Sequence, residues 1–431
     1  LTFNLPHGYI PLIAASSEFR LNHDRLLDRF LRYVRIDTTA DPGAATYPSS
    51  SGQFNLGKLL LDELQAMGLE DARQDECGLV LATVPASVPG DLPVVALVAH
   101  MDTSPEAPGC NVHPQVIDQY AGGDIELNSG VVITVAGCPA MASMVGQTLV
   151  TTDGTTLLGG DDKAGVAIIM ELVQTLIENP SLAHGPVQVI MTCDEEIGHG
   201  TDHIDIAALN ATVAYTIDGG GHAIIDHETF SADAATVVFT GHNIHPAIAK
   251  DRMVNSVRAA ADFVASLPRH EMTPETTQDR QGFIHVHDIR GGVGQTTVEL
   301  IMRSFETEDL TDYAVQIRDL ADRAAKALPG VSVDVAVRQQ YRNLREGLAN
   351  LPEAIELAEA AFGNLQVDCE RAIIRGGTDG SQLTEKGLPT PNLSSGQHNI
   401  HSVLEFACVD EMAGATMHLV ELLRLWSLKN A

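Results

Sequence analysis

The chain has 431 residues, of which 26 are Lys or Arg and 57 are Asp or Glu, giving a formal charge of −31. At 44% hydrophobic it can build two or three cored domains, which excludes a disordered or low-complexity chain. So acidic a protein is also a poor binder of nucleic-acid phosphates or anionic membranes, since both draw on clustered Lys and Arg.

The first 20 residues lack a cationic n-region, and His7, Gly8 and Pro11 break their apolar stretch, so they do not read as a signal peptide. Residues 1–21 are assigned no role. From Asn22 to Val34, Leu26, Leu27, Phe30, Leu31 and Val34 recur at helical spacing behind an Asn or Asp cap. Residues 94–99, 187–191 and 213–217 read as buried strands, and residues 163–178 as a helix that Asn179-Pro180 ends. This rhythm predicts an α/β sheet. Residues 228–342 differ, with a strand at 234–240, a helix at 256–267, strands near 283–289 and 297–304, and a helix at 310–328. Strands flanked by helices, twice over, predict an α+β sandwich inserted into the first domain. After Leu351 the α/β character returns and ends in a helix bearing Met417, Leu419, Leu422, Leu423 and Leu425. The expected domains are therefore 1–228 with 343–431, and 229–342. No apolar run approaches the roughly 20 residues of a membrane-spanning helix. The six cysteines show no C-x-x-C spacing, which fits reduced thiols and a cytoplasmic protein.

Three strands end in chemistry-bearing residues: His100-Met101-Asp102, Asp194-Glu195-Glu196 and Asp218-Gly219-Gly220. They deliver imidazole and carboxylates to one sheet edge, where open α/β folds bind ligands. Gly159-Gly160-Asp161-Asp162-Lys163 adds two carboxylates before a helix, with glycines that permit close approach. Carboxylates so crowded repel one another unless cations are present. Histidines mixed with carboxylates favour zinc, with manganese or cobalt as substitutes, over calcium or magnesium. Asp102 is placed to fix the ring of a ligating His100. The Glu195-Glu196 pair can divide into a ligand and a general base. Asp162 reads as a helix N-terminal charge paired with Lys163, and Cys193 as a small strand-end filler. The glycine clusters read as tight turns, because none continues as a phosphate-binding loop. His398 and His401 form H-x-x-H and offer two imidazoles for one ligand position.

The strings HMDT at 100–103, TDGTTLLGGDDKAG at 152–165, CDEEIGHGTDHID at 193–205, AYTIDGGG at 214–221, NIHPAIAKDRMVNS at 243–256, IRGGTDGSQL at 374–383 and NIHSVLEF at 399–406 together resemble the M20 family of metallopeptidases. The likeness is nearest to its peptidase T branch and spans nearly the whole chain from Asn22. It implies a zinc-dependent exopeptidase-like catalytic domain with an inserted ferredoxin-like dimerisation or lid domain. The implied activity is that of a homodimeric aminopeptidase releasing the N-terminal residue of tripeptides through a hydroxide that bridges two zinc ions. Carried over position by position, the resemblance makes Asp161 the bridging carboxylate, His100 and Asp218 the ligands of one zinc, and Glu196 and His401 those of the other. Asp102 then orients His100, and Glu195 is the base. The resemblance also implies that His245, reaching from the partner subunit, donates to the oxyanion, and that Asn255, Arg303 and Arg375 bind substrate. Planar guanidinium forks suit a peptide carboxylate. Two other activities share this metal chemistry, a dipeptidase and an N-acyl amino acid deacylase. The alternative from a different class is a silent peptide- or metal-binding protein, against which Glu195 argues, because a binder needs no base.

Overall fold

Residues 20–429 are described by the computed structural model; the readings made for residues 1–19 lie outside them. Helix α1 (His23–Tyr33) begins where Asn22 Oδ1 accepts the Arg25 N–H at 3.0 Å, and it buries Leu26, Phe30 and Tyr33 on one face. Helix α2 (Ser51–Ala66) follows, then strands β1 (Val80–Val84), β2 (Val95–His100) and β3 (Leu149–Thr151), helix α3 (Gly160–Glu178), and strands β4 (Val187–Thr192) and β5 (Val213–Gly220). Every residue of β2 is buried, as expected of a parallel strand covered on both faces. It runs parallel to β4 on one side and β5 on the other, with His100 level with Thr192, so these strands end together at one edge. Regular helical dihedrals in α3 start at Lys163; Asp161 and Asp162 are non-helical and joined by a cis peptide bond.

The chain divides into two units. One runs to His227 and resumes over Glu346–Ala372 and from Thr378 onward; the other takes Glu228–Arg345 and Ile373–Gly377. In the second unit, strand β6 (Ser231–Thr240), helix α4 (Ser256–Ser266), strands β7 (Phe283–Gly292) and β8 (Gln295–Ser304), helix α5 (Thr307–Ala327) and strand β9 (Ser332–Tyr341) follow one another. The antiparallel sheet has the order β7-β8-β6-β9, which with the β-α-β-β-α-β chain order makes a ferredoxin-like unit. Phe239, Phe263, Leu300, Met302 and Ile317 centre its core. Strand β9 had no counterpart in the sequence reading. Its Val333, Val335 and Val337 alternate with exposed residues and only partly bury, a period-2 pattern that the sequence reading passed over.

The first unit closes with helices α6 (Glu353–Asn364) and α7 (Asp379–Glu385), strands β10 (Asn392–His398) and β11 (Phe406–Cys408), and helix α8 (Val409–Trp426). Strand β10 lies parallel to β5, and β11 pairs antiparallel with both β10 and β3. Within the larger, eleven-stranded sheet these strands run in the order β1-β4-β2-β5-β10-β11-β3. The fold class is α/β, with an inserted α+β ferredoxin-like unit. Among the described residues no helix is long and apolar enough to cross a membrane.

Candidate metal centre

Strand ends and turns bring the expected ligands together in the first unit. His100, the last residue of β2, places Nε2 3.0 Å from Asp161 Oδ1 and 3.6 Å from Asp218 Oδ1. His401 places its Nε2 3.2 Å from Asp161 Oδ2 and 3.0 Å from Glu196 Oε2. Asp161 thus turns one oxygen to each imidazole. Atoms ligating one tetrahedral zinc at about 2.0–2.2 Å lie about 3.3–3.6 Å from each other, and both clusters come within a few tenths of an ångström of that spacing. The buried Oε1 of Glu196 has no hydrogen-bond partner, a polar atom that a cation would satisfy.

The electrostatics agree with that fit. Burial and the neighbouring Asp161 push Glu196 up to about 7 and Asp218 up to about 6. Burial alone would lower His100, yet its hydrogen bonds to Asp102 and Asp161 hold it well above the usual imidazole range. His401 likewise overcomes burial and rises to about 11, through Asp161 and Glu196. Without an ion, the carboxylates hold protons on the imidazoles; with one, the cation takes the place of those protons. Burial also raises Glu195 well above an ordinary carboxylic acid.

Asp102 does more than the sequence reading gave it. Its backbone oxygen lies 3.1 Å and its Oδ1 3.3 Å from His100 Nδ1, while Oδ1 and Oδ2 accept the backbone N–H groups of Glu195 and Glu196, each at 3.1 Å. One buried carboxylate therefore aims the imidazole and shapes the turn that carries Glu195 and Glu196. Asp162 also comes within reach of His100 and Asp218. Its oxygens, however, accept the His100 N–H at 3.2 Å and the Gly165 N–H at 3.0 Å, which leaves it a backbone-holding role. The expected Asp162–Lys163 pairing is corrected: Lys163 Nζ instead donates to Ile36 O at 2.8 Å. Of the H-x-x-H pair, His401 is the one that faces Asp161 and Glu196, while His398 Nε2 lies 2.7 Å from Glu411 Oε2 and its ring stacks on Phe406.

Residues without an assigned role also build this edge. Asp194, in the left-handed region at φ 60°, accepts from Ser49 N and Gln53 Nε2 at 2.6 Å each. Gln397 Nε2 donates to Asp218 O at 2.9 Å, and Asp379 Oδ2 accepts from Thr192 Oγ1 at 2.7 Å. Glu405 accepts from three backbone N–H groups. Their sequence signal was an acidic or amide side chain at the end of a buried strand or turn.

The remaining predicted residues lie in the second unit. His245 is exposed, and its Nδ1 accepts the Ala247 N–H at 3.2 Å. Asn255 caps α4 by accepting from Val257 N at 3.0 Å. Arg303 donates to Arg375 O at 3.3 Å, and its buried Nε has no partner. Arg375 donates three of its five N–H groups, to Asp279 O, Gln281 O and Thr277 Oγ1, each at 2.8 Å, with its guanidinium over the rings of Phe230 and Phe283.

Comparison with known proteins gives a consistent picture. The model of peptidase family M20/M25/M40 matches residues 153–425. Peptidase T of Geobacillus kaustophilus is 42% identical over 406 residues, covering 94% of this chain and 98% of that one. The solved structures of aminopeptidase PepT from Bacillus cereus and of a tripeptidase from Staphylococcus aureus share the fold, with TM-scores of 0.73 and 0.75. Both are 23% identical, and each match covers 95% of this chain and 100% of the other.

Proposed function

Because the chain belongs to peptidase family M20/M25/M40 and is a metallo-aminopeptidase of the peptidase T type, we propose that it removes the N-terminal residue of tripeptides at a centre of two zinc ions. The observation that carries this reading is the division of Asp161, whose two oxygens face two separate imidazoles, each with its own second carboxylate. His100, Asp161 and Asp218 would hold one ion, and Asp161, Glu196 and His401 the other. When bound, the two ions supply Lewis acidity that acidifies water and polarises the scissile carbonyl.

The chain's own residues do the rest. Glu195, made more basic by burial, accepts the proton of the attacking water and hands it to the leaving amine. Asp102 keeps Glu195 in place through its backbone N–H. His245 donates to the tetrahedral oxygen from the partner subunit of a cytoplasmic homodimer, and Asn255, Arg303 and Arg375 hold the peptide. These last assignments rest on the family resemblance. Dimers mixed from His245→Ala and Glu195→Ala subunits regain activity if the histidine acts across subunits, and stay inactive if it acts within its own chain.

The test is product analysis with trialanine, dialanine and N-acetylalanine, using zinc-loaded protein, chelator-treated protein and Glu195→Gln. The proposal expects chelator-sensitive release of alanine from the tripeptide and a Glu195→Gln protein that keeps its metal but not its turnover. Preference for dialanine or N-acetylalanine would move the activity to the dipeptidases or deacylases of the family. No cleavage of any substrate would leave a binding protein.

A further inference from the structure

Glu405 is 1% exposed. Its Oε2 accepts the backbone N–H groups of Leu158 at 2.7 Å and Gly159 at 2.8 Å, and its Oε1 accepts that of Asp161 at 3.0 Å. Three donors from four successive residues thus converge on one side chain, at the turn that delivers the shared carboxylate. Glycine favours this approach: a Cβ on Gly160 would lie a tight 3.2 Å from Glu405 Oε1, and Gly159 sits in the left-handed region at φ 78°.

The other end of the same segment carries His401. Asn399 and His401 both adopt left-handed backbone, at φ 53° and 59°, which a non-glycine residue keeps only when its surroundings hold it. Here the loop holds itself. Ser402 Oγ donates to Asn399 O at 2.7 Å, Leu404 N–H donates to Ser402 Oγ at 3.2 Å, and Glu405 N–H donates to Ser402 O at 3.2 Å. A short, self-bonded loop therefore presents His401 at one end and, four residues later, grips the Leu158–Asp161 turn.

We infer that Glu405 is a positioning residue for the metal centre, fixing the Asp161 carboxylate against His401 and so setting the affinity of both metal positions together. This rests on the reading of Asp161 as the carboxylate shared by two ions. Glutamine at this position keeps one acceptor and turns an NH2 group toward backbone donors. Aspartate keeps the charge but is one methylene too short to reach all three N–H groups.

Zinc binding to metal-free wild type, Glu405→Gln and Glu405→Asp, followed by competition with a chromogenic chelator, tests the inference. Glu171→Gln serves as a control that removes a buried carboxylate elsewhere in the same unit. Wild type should take up two equivalents, and both should weaken in parallel by about 10–100-fold in Glu405→Gln, the usual effect of losing a group that orients a ligand. Glu405→Asp should also weaken both, whereas Glu171→Gln should lose unfolding stability with zinc affinity intact. Should Glu405→Gln fail to fold, Glu405→Asp carries the comparison. Unchanged affinity in the Glu405 variants, loss of one equivalent only, wild-type affinity in Glu405→Asp beside a weak Glu405→Gln, or equal weakening in Glu171→Gln would each overturn the inference while leaving the two-ion centre standing. A wild-type protein that binds no divalent ion would overturn the centre and the inference with it.

Discussion

Asp102→Asn isolates the contribution of one fully buried carboxylate to an otherwise unchanged centre. Its two oxygens each accept one backbone N–H, from Glu195 and Glu196, at 3.1 Å. Asparagine offers a single oxygen, so in either orientation its NH2 group meets one of these N–H donors and both are left unsatisfied. An unsatisfied buried group costs about 1–3 kcal/mol. If the turn relaxes to relieve that cost, Glu195 and Glu196 move, and each 1.4 kcal/mol lost from the transition state is about tenfold in rate. The expected outcome is a fall in kcat of about 10–100-fold at saturating zinc with KM little changed, because Asp102 faces the turn and His100. Steady-state tripeptide hydrolysis, with metal content measured on the same samples, reads both parameters. A fully loaded Asp102→Asn enzyme with wild-type kcat would refute the claim that this carboxylate holds the catalytic turn.

Three further outcomes follow from the same packing. Glu171, whose side chain is fully buried, accepts from Arg25 Nε at 2.8 Å, Arg25 Nη2 at 2.7 Å and Arg29 Nη1 at 2.6 Å. Glu171→Ala leaves the buried Arg29 with Glu63, at 3.1 Å, as its carboxylate partner and should cost about 1–3 kcal/mol in urea unfolding; a loss well below about 1 kcal/mol would show that the cluster is dispensable. Chelation should lower the unfolding midpoint, since an ion held about a thousandfold above its Kd stabilises by about 4 kcal/mol per site, and equal midpoints with and without chelator would count against ion binding. His418, buried in α8 with Nε2 bonded to Ala358 O at 2.8 Å, is pushed down to about 4 by burial, against about 6.5 for an imidazole in the unfolded chain. Above pH 6.5 neither state takes the proton. Between about 6.5 and 4 only the unfolded chain does, so stability falls with pH through that window by up to about 3 kcal/mol and then levels off. His418→Gln, which keeps a donor for Ala358 O, should lose that part of the acid limb, and superimposable limbs in the two proteins would refute it.

How much of this was legible in the sequence depends on what each element buries. Strands β2, β4 and β5 are covered on both faces, so their apolar runs located them to within a few residues. Strand β10 lies in the same sheet and escaped notice, because Asn392, Ser394, Ser395 and Gln397 are buried without being apolar. They sit where the sheet meets the centre: Asn392 Oδ1 accepts from Thr216 Oγ1 and Asp218 N, and Gln397 donates to Asp218 O. A strand spent on hydrogen bonds to a site carries no hydrophobic period. The same limit applies to side chains. His100, Asp161 and Asp218 were visible as polar residues at the ends of glycine-rich or apolar strings. The partners of Glu405 are backbone N–H groups more than 240 positions away, and these leave no mark on the sequence.

The buried carboxylates of this edge divide into two kinds by what their oxygens face. Asp161, Glu196 and Asp218 face imidazoles and one another, and Glu196 and Asp218 are raised by burial and by the neighbouring Asp161. Asp102, Asp162, Asp194 and Glu405 accept backbone N–H groups: Asp102 and Glu405 from the turns that carry Glu196 and Asp161, Asp162 from His100 and Gly165, and Asp194 from Ser49. Hydrogen bonds of the second kind need no cation, so they hold His100, Glu195, Glu196 and Asp161 in place whether or not an ion is bound. The strain left in the metal-free protein is then electrostatic repulsion within the first kind. A cation entering such a frame relieves repulsion without having to order the loops, which is how preorganised charge is made useful to a reaction.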